Sequence, residues 1–399
     1  MTEQKPATPE TKEMSPEKTK KRHRIFDYMT PAALVTFIIA LLGVPVQIIS
    51  SRSVAFADFW NLTVCAAVRC IIAKLTNWFP FSLGEIVAVL LPFGIIAFLV
   101  AVIVMSIKGN PKVWKLITSV FAVAAYVYIL FSIGYSAGYN TTTVDKKLGL
   151  DRQNVSGEEL YKTACLLRDN ENKYLNRVVF GGSGASVMPY SKKAMNDKLI
   201  AAYEKASQKY DFIPTFYSRV KPILLSEPMT YTHISGVYTL YTGEANINVN
   251  FPDYTLPFTA CHELSHQRGI NREDEANFLA FIVSIESDDP YILYSAYQNM
   301  LEYVLSALYS ANKDLYMSFL RTMDPRPYKE MVAYNRFFEK YRESKAAEVT
   351  DSVNDSYLKA SGQPQGTKSY GLVVDLAVAY YRDSLDAVEL PIIEEKPAA

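Results

Sequence analysis

Three long apolar runs near the N-terminus limit what this chain can fold into more than any other feature. Residues 31–49 and 86–107 carry no charge, and residues 113–135 are apolar apart from Lys115. At a rise of about 1.5 Å per residue, about 20 residues cross a hydrocarbon core about 30 Å thick. Lipid offers backbone amides no partner, so such segments satisfy their own hydrogen bonds as helices. Three membrane spans are expected.

The segment between the first two runs is different. Residues 56–79 are rich in aromatics, but Arg69 and Lys74 interrupt the apolar residues, which suits an interfacial or re-entrant helix better than a full crossing; the alternative is a fourth span, which would move the C-terminal domain to the inside. Ala55-Phe56-Ala57 resembles a signal-peptidase site, but the apolar run before it is long and its polar leader extended, so the first span reads as a retained anchor. Residues 1–24 are polar and end in Lys18, Lys20, Lys21, Arg22 and Arg24, a composition expected to be disordered. With three spans, that basic tail and the loop carrying Lys108, Lys112 and Lys115 share one side of the membrane. The positive-inside rule makes that side cytoplasmic. The remainder, residues 140–399, then lies outside the cytoplasm. The expected organisation is a tail (1–24), a membrane region (25–139) and one C-terminal domain (140–399) long enough for a substantial core.

Overall composition conceals this division. Hydrophobic residues make up 49% of the chain and 41 basic residues balance 41 acidic ones, as in an ordinary globular protein. There is no concentrated basic patch for nucleic acid. The four cysteines, Cys65, Cys70, Cys165 and Cys261, form neither a disulfide framework nor a zinc ribbon. Gly181-Gly182-Ser183-Gly184-Ala185-Ser186 lacks the lysine of a phosphate-binding loop and reads as a flexible loop near the cleft.

Chemistry concentrates at Ala260-Cys261-His262-Glu263-Leu264-Ser265-His266-Gln267, which contains an HExxH pentad and two of the four histidines in the chain. Residues four apart stack on one helical face, so His262 and His266 can offer two imidazole nitrogens to one Zn²⁺. Glu263 can then reach a metal-bound water. The bland alternative is a surface helix with two solvated histidines. A catalytic zinc needs a third protein ligand, and acids follow at once. Gly269 can end the pentad helix, and Asn271 with Asp274 resembles a capping box for a second helix. On that helix Glu275 shares a face with Phe278, Leu279 and Ile282, which makes Glu275 the expected third ligand and Asp274 the reserve. Glu273 lies about 160° round the helix from Glu275. The competing reading is that all three acids merely complement the positive helix end.

Pro257 to Gln267, followed by Arg272-Glu273-Asp274-Glu275-Ala276-Asn277-Phe278, resembles a bacterial family of membrane-anchored, zincin-like proteins classed as a domain of unknown function. Ile234-Ser235-Gly236-Val237-Tyr238, Thr242-Gly243-Glu244-Ala245-Asn246-Ile247-Asn248, Asp355-Ser356-Tyr357-Leu358-Lys359-Ala360-Ser361-Gly362-Gln363 and Ser369-Tyr370-Gly371 are similar too, so the resemblance spans nearly the whole chain. It implies a membrane region followed by a metallopeptidase-like domain. His233 departs from the pattern, where a small residue is expected; His23, in the tail, has no evident role.

The fold expected is therefore α+β and mostly helical. A three-helix membrane region precedes a zincin-like domain with a small sheet ahead of the active-site helix. Ser156-Gly157-Glu158-Glu159 is a capping box opening a helix, residues 194–209 are a second helical pattern, and residues 236–241 and 245–250 alternate like two strands. Tyr294, Tyr297, Leu301, Val304, Leu305 and Leu308 form a helical stripe. The function expected is hydrolysis of peptide bonds outside the cytoplasmic membrane by one Zn²⁺, with Glu263 as general base. Tyr370 and Tyr238 are candidate transition-state donors, and Glu244 and Asn246 candidate substrate contacts. The partners are the lipid bilayer and a peptide or protein substrate. The alternative is a membrane-tethered, metal-binding sensor or scaffold without turnover.

Overall fold

The computed structural model describes residues 24–391, except the side chains of Ser369 and Tyr370; the basic tail before Arg24, with His23, lies outside the described residues. The chain is mostly helical. Four helices form the N-terminal part: α1 (Pro31–Arg52), α2 (Val54–Thr76), α3 (Leu83–Ile107) and α4 (Val113–Gly134). Each is long and apolar enough to cross a membrane, one more than the three spans expected.

Their arrangement follows from a few contacts. Thr118 on α4 donates to the carbonyl of Tyr28, just before α1, and Gly43 packs against Ser132, so α1 and α4 run parallel. A Cβ on Gly43 would lie 2.2 Å from the Ser132 hydroxyl; the absent side chain lets the two helices touch. The C-terminal ends of α1 and α4 and the N-terminal end of α3 all point toward the C-terminal domain. The two α3 donors Leu83 and Gly84 give their N–H groups to Glu244, and Glu85 accepts from Leu224 and Leu225.

Helix α2 behaves differently. It touches the domain from end to end: Asp58 accepts from Thr142, Asn61 donates to Gly269, Lys221 to Thr76 and Arg219 to Asn77. Its second half is α-helical (Ala66–Thr76), but a five-residue π-turn, Asn61–Cys65, interrupts it.

The domain is built on buried helices. After α5 (Gly157–Asn172), whose Ser156–Glu159 capping box forms as the sequence suggests, come α6 (Lys192–Lys209), α7 (Thr255–Gln267), α8 (Glu273–Ile285) and α9 (Pro290–Ala311). The helices α10 (Lys313–Leu320), α11 (Pro325–Glu339), α12 (Lys345–Ala360) and α13 (Val373–Tyr381) complete it. Every residue of α7 is buried, and α8 is buried from Glu273 through Ser284. The tyrosine and leucine stripe on α9 packs inward as its spacing requires.

Two small sheets accompany the helices. β1 (Val179–Phe180) and β2 (Ser186–Val187) form a hairpin, so the glycine-rich stretch is its turn, anchored where Ser186 binds the buried carboxylate of Glu330. β3 (Lys221–Pro222), β4 (Gly236–Thr239) and β5 (Glu244–Ile247) form a sheet in the order β3-β5-β4, with β4 at one edge. The two strands expected before the pentad are thus β4 and β5, antiparallel, shorter than the alternation suggests because residues 240–243 turn.

Overpacking the α1–α4 crossing tests this arrangement. Gly43→Leu should destabilise the detergent-solubilised protein by about 1–3 kcal/mol. Gly94→Leu on α3, where an added Cβ meets nothing within 4 Å, should leave the melting temperature unchanged.

Candidate metal centre and cleft

Helix α7 ends in a Schellman turn. Gly269, at a φ of 94°, occupies the left-handed position, Ile270 N–H donates to the carbonyl of Ser265, and Gly269 N–H donates to His266. The chain reverses within five residues, so the start of α8 falls beside the last two turns of α7, where His262 and His266 sit. The N-cap of α8 is Arg272. Asn271, expected to cap, instead turns its amide away to the carbonyl of Tyr135.

This places Glu273, and not Glu275, against the two imidazoles. His262 Nε2 and His266 Nε2 are 3.0 Å apart, and Glu273 Oε2 lies 3.2 Å from the first and 3.3 Å from the second. Ligands about 2.0–2.1 Å from a tetrahedral Zn²⁺ are about 3.3 Å from one another, so this triangle has the size a metal ion needs. All three residues are buried. His266 Nδ1 donates to the Ile270 carbonyl at 2.8 Å, which leaves Nε2 as the nitrogen facing the triangle.

Glu275 points elsewhere. It accepts from Arg272 at 2.9 Å and from Val144 N–H, while Asp274 pairs with Arg152 at 2.9 Å. The expectation of Glu275 assumed that one face of α8 is inward and the other outward. Because α8 is covered on every side, apolar neighbours do not single out the side that faces the imidazoles, and proximity to the turn decides instead.

The electrostatics match the geometry. Burial opposes the charged form of Glu273, but His266 and His262 outweigh it and hold the carboxyl well below its usual range. Burial likewise works against His266, yet adjacent Glu273 lifts it to about 9. Glu263 is raised to about 7, chiefly by burial, with the two imidazoles acting in the opposite direction.

Strand β4 lies directly over Glu263. A Cβ on Gly236 would sit 2.5 Å from Glu263 Oε1, so only glycine lets the strand come this close, and the backbone of Tyr238 hydrogen-bonds the carboxylate. Beside them opens a cleft of about 1140 Å³, walled by His262, Glu263 and Gly236, with Asn277, Tyr303 and Asp351 further round.

The other candidates fall outside this arrangement. The Tyr238 ring stacks on Tyr135, 5.6 Å between centroids, and does not line the cleft. Glu244 is buried against Lys221 and caps the N-terminus of α3, where a carboxylate complements the helix dipole. Asn246 donates to Val237, Thr239 and Glu244 and ties the β4–β5 hairpin together. Tyr370 lies in the 3-10 turn Gly366–Leu372, its side chain outside the described residues. His233 is at the cleft wall with a φ of 60°, which accounts for the small residue expected there; its Nε2 meets the Tyr341 carbonyl at 2.8 Å. Gln363, which was not singled out beforehand, accepts from Glu273 N–H at 3.2 Å. Cys261 is buried, its thiol pushed up to about 11 by that burial, consistent with a packing role.

A family model described as "Protein of unknown function (DUF3810)" matches residues 61–378. The chain belongs to this family. The matched segment begins within α2 and includes α3 and α4, so the family model covers both of these apolar helices of membrane-spanning length and most of the C-terminal domain. No curated protein and no solved structure matches the chain.

The two acids of α8 should separate experimentally. Glu275→Ala leaves Arg272 without its carboxylate and should cost about 2–3 kcal/mol of stability while sparing divalent-ion binding. Glu273→Ala should abolish that binding. Thermal melts paired with zinc titration of the full chain read out both.

Proposed function

We propose that this protein is a membrane-anchored zinc peptidase, with its C-terminal domain on the extracytoplasmic side. The observation that carries the reading is the triangle of His262, His266 and Glu273, 3.0–3.3 Å on a side, placed beside Glu263 at the wall of a cleft. Three protein ligands leave a fourth position free, the pattern of a catalytic rather than a structural zinc. When bound, Zn²⁺ supplies Lewis-acid chemistry, lowering the pKa of water toward about 7 and polarising a carbonyl.

The remaining steps belong to the chain itself. Glu263, raised to about 7, is poised to take the proton from the attacking water and return it to the leaving amine. Gly236 and its neighbours give β4 an edge along the cleft, where an extended peptide can add as a further strand. The zincin-like character of the domain rests on these features together with the pentad.

Membrane topology is part of the proposal. α1, α3 and α4 are read as the crossings, and α2 as a helix lying between membrane and domain, since both of its ends bind domain residues. Arg24 and Lys108, Lys112 and Lys115 then lie on the side opposite the domain, and their charge makes that side cytoplasmic.

Two experiments test this reading. Glu263→Gln should keep stoichiometric zinc yet lower cleavage of a peptide library by about 10²–10⁴-fold, and chelation should abolish wild-type cleavage until zinc is restored. Equal turnover in mutant and wild type would remove the assigned role, and zinc binding with no cleavage at all would favour a sensor or scaffold. In intact cells, a membrane-impermeant thiol reagent should label Ser183→Cys in the domain and spare Lys108→Cys. The reverse pattern would invert the topology.

A further inference from the structure

The turn that sets the spacing of the three candidate ligands is held from outside by the membrane region. Of its six residues Arg268 to Glu273, four bind atoms contributed by residues 61–139: Arg69 reaches the Arg268 carbonyl, Asn61 donates to Gly269, Asn271 donates to Tyr135 and Arg272 donates to Tyr139. Arg69 is 2% exposed in the second half of α2, where Lys74 is the only other charged residue. Its guanidinium donates to oxygens of the amide type, those of Asn61, Gly134 and Arg268, at 2.9–3.5 Å, and also hydrogen-bonds the Cys65 side chain. A cation at these carbonyls complements the C-terminal end of α7. It also joins α7 to the end of α4.

The surrounding backbone is shaped for this contact. A Cβ on Gly269 would lie 2.3 Å from Arg69 Nη2 and 2.8 Å from Asn61 Oδ1, so the glycine serves both the left-handed turn and the approach of α2. Asn61 opens the π-turn of α2, a local widening that places its side chain between Gly269 and Arg69.

We infer that Arg69 and Asn61 are positioning residues for the metal site: clamping the Arg268–Glu273 turn from helix α2 fixes Glu273 against His262 and His266. This rests on the metal-binding reading of those three residues, and it makes the membrane region a working part of the centre. The domain alone would keep all three ligands but lose the clamp that sets their spacing.

The test uses the full chain in detergent, with Co²⁺ as a spectroscopic probe and Zn²⁺ competition for affinity. Arg69→Met and Asn61→Ala should each weaken binding by about tenfold or more and alter the visible cobalt bands, as loss of outer-shell support does elsewhere. Arg219→Ala breaks a different link, to Asn77 at the far end of α2, and should change neither. Asn61→Ala, the milder substitution, keeps the test informative if Arg69→Met does not fold. A purely structural role would lower the melting temperature of the variants while the folded protein kept wild-type affinity and spectrum, and that result would overturn the inference. A wild-type protein that binds no Co²⁺ would instead remove the metal reading on which the inference stands.

Discussion

The structure depends on one reversal of the chain, the five residues between α7 and α8. Helices joined by so short a connection must pack side by side, and here that brings two imidazoles and a carboxylate within 3.3 Å of one another in a buried setting. Three such groups repel or attract strongly through the low-dielectric interior. Their spacing cannot be left to side-chain flexibility; it has to be imposed by the backbone. Gly269 provides the turn, and the hydrogen bonds radiating from Arg268 through Glu273 prevent it from relaxing.

The rest of the molecule can be read as support for that turn. α8 and α9 enclose α7, the β3-β5-β4 sheet covers its Glu263 side, and α2 presses against its end. Three carboxylates that the sequence offered for the site, Glu244 as a substrate contact and Glu275 and Asp274 as ligands, serve this support instead. Glu244 locks the start of α3 to the sheet, and Glu275 and Asp274 tie α8 to Arg272 and Arg152.

Much of this was legible in the amino-acid sequence, for physical reasons. The pentad spacing demands a helix with two histidines on one face, the Ser156–Glu159 box marks a helix start, and charge-free runs of about 20 residues imply membrane-length helices. The third member of the triangle was not legible. Helical periodicity identifies an inward face only when the other face meets water, and α8 has no such face, so Glu275 and Glu273 were indistinguishable by pattern. Arg69 was visible only as an interruption of an apolar segment. Its partner at the end of α7 is 199 positions away, and no local rule connects an arginine at 69 with a carbonyl at 268. Long-range polar contacts made to backbone atoms leave no mark on the partner residue's identity, except where, as at Gly269, they forbid a side chain.

Everything proposed for this site requires that His262, His266 and Glu273 grip one divalent ion. The most direct measurement is the zinc X-ray absorption spectrum of the full-length protein loaded with one equivalent of metal. The spectrum should show two imidazoles and oxygen scatterers at about 2.0–2.1 Å, with no sulfur. A shell of oxygens without imidazole, or a sulfur at about 2.3 Å, would contradict that coordination.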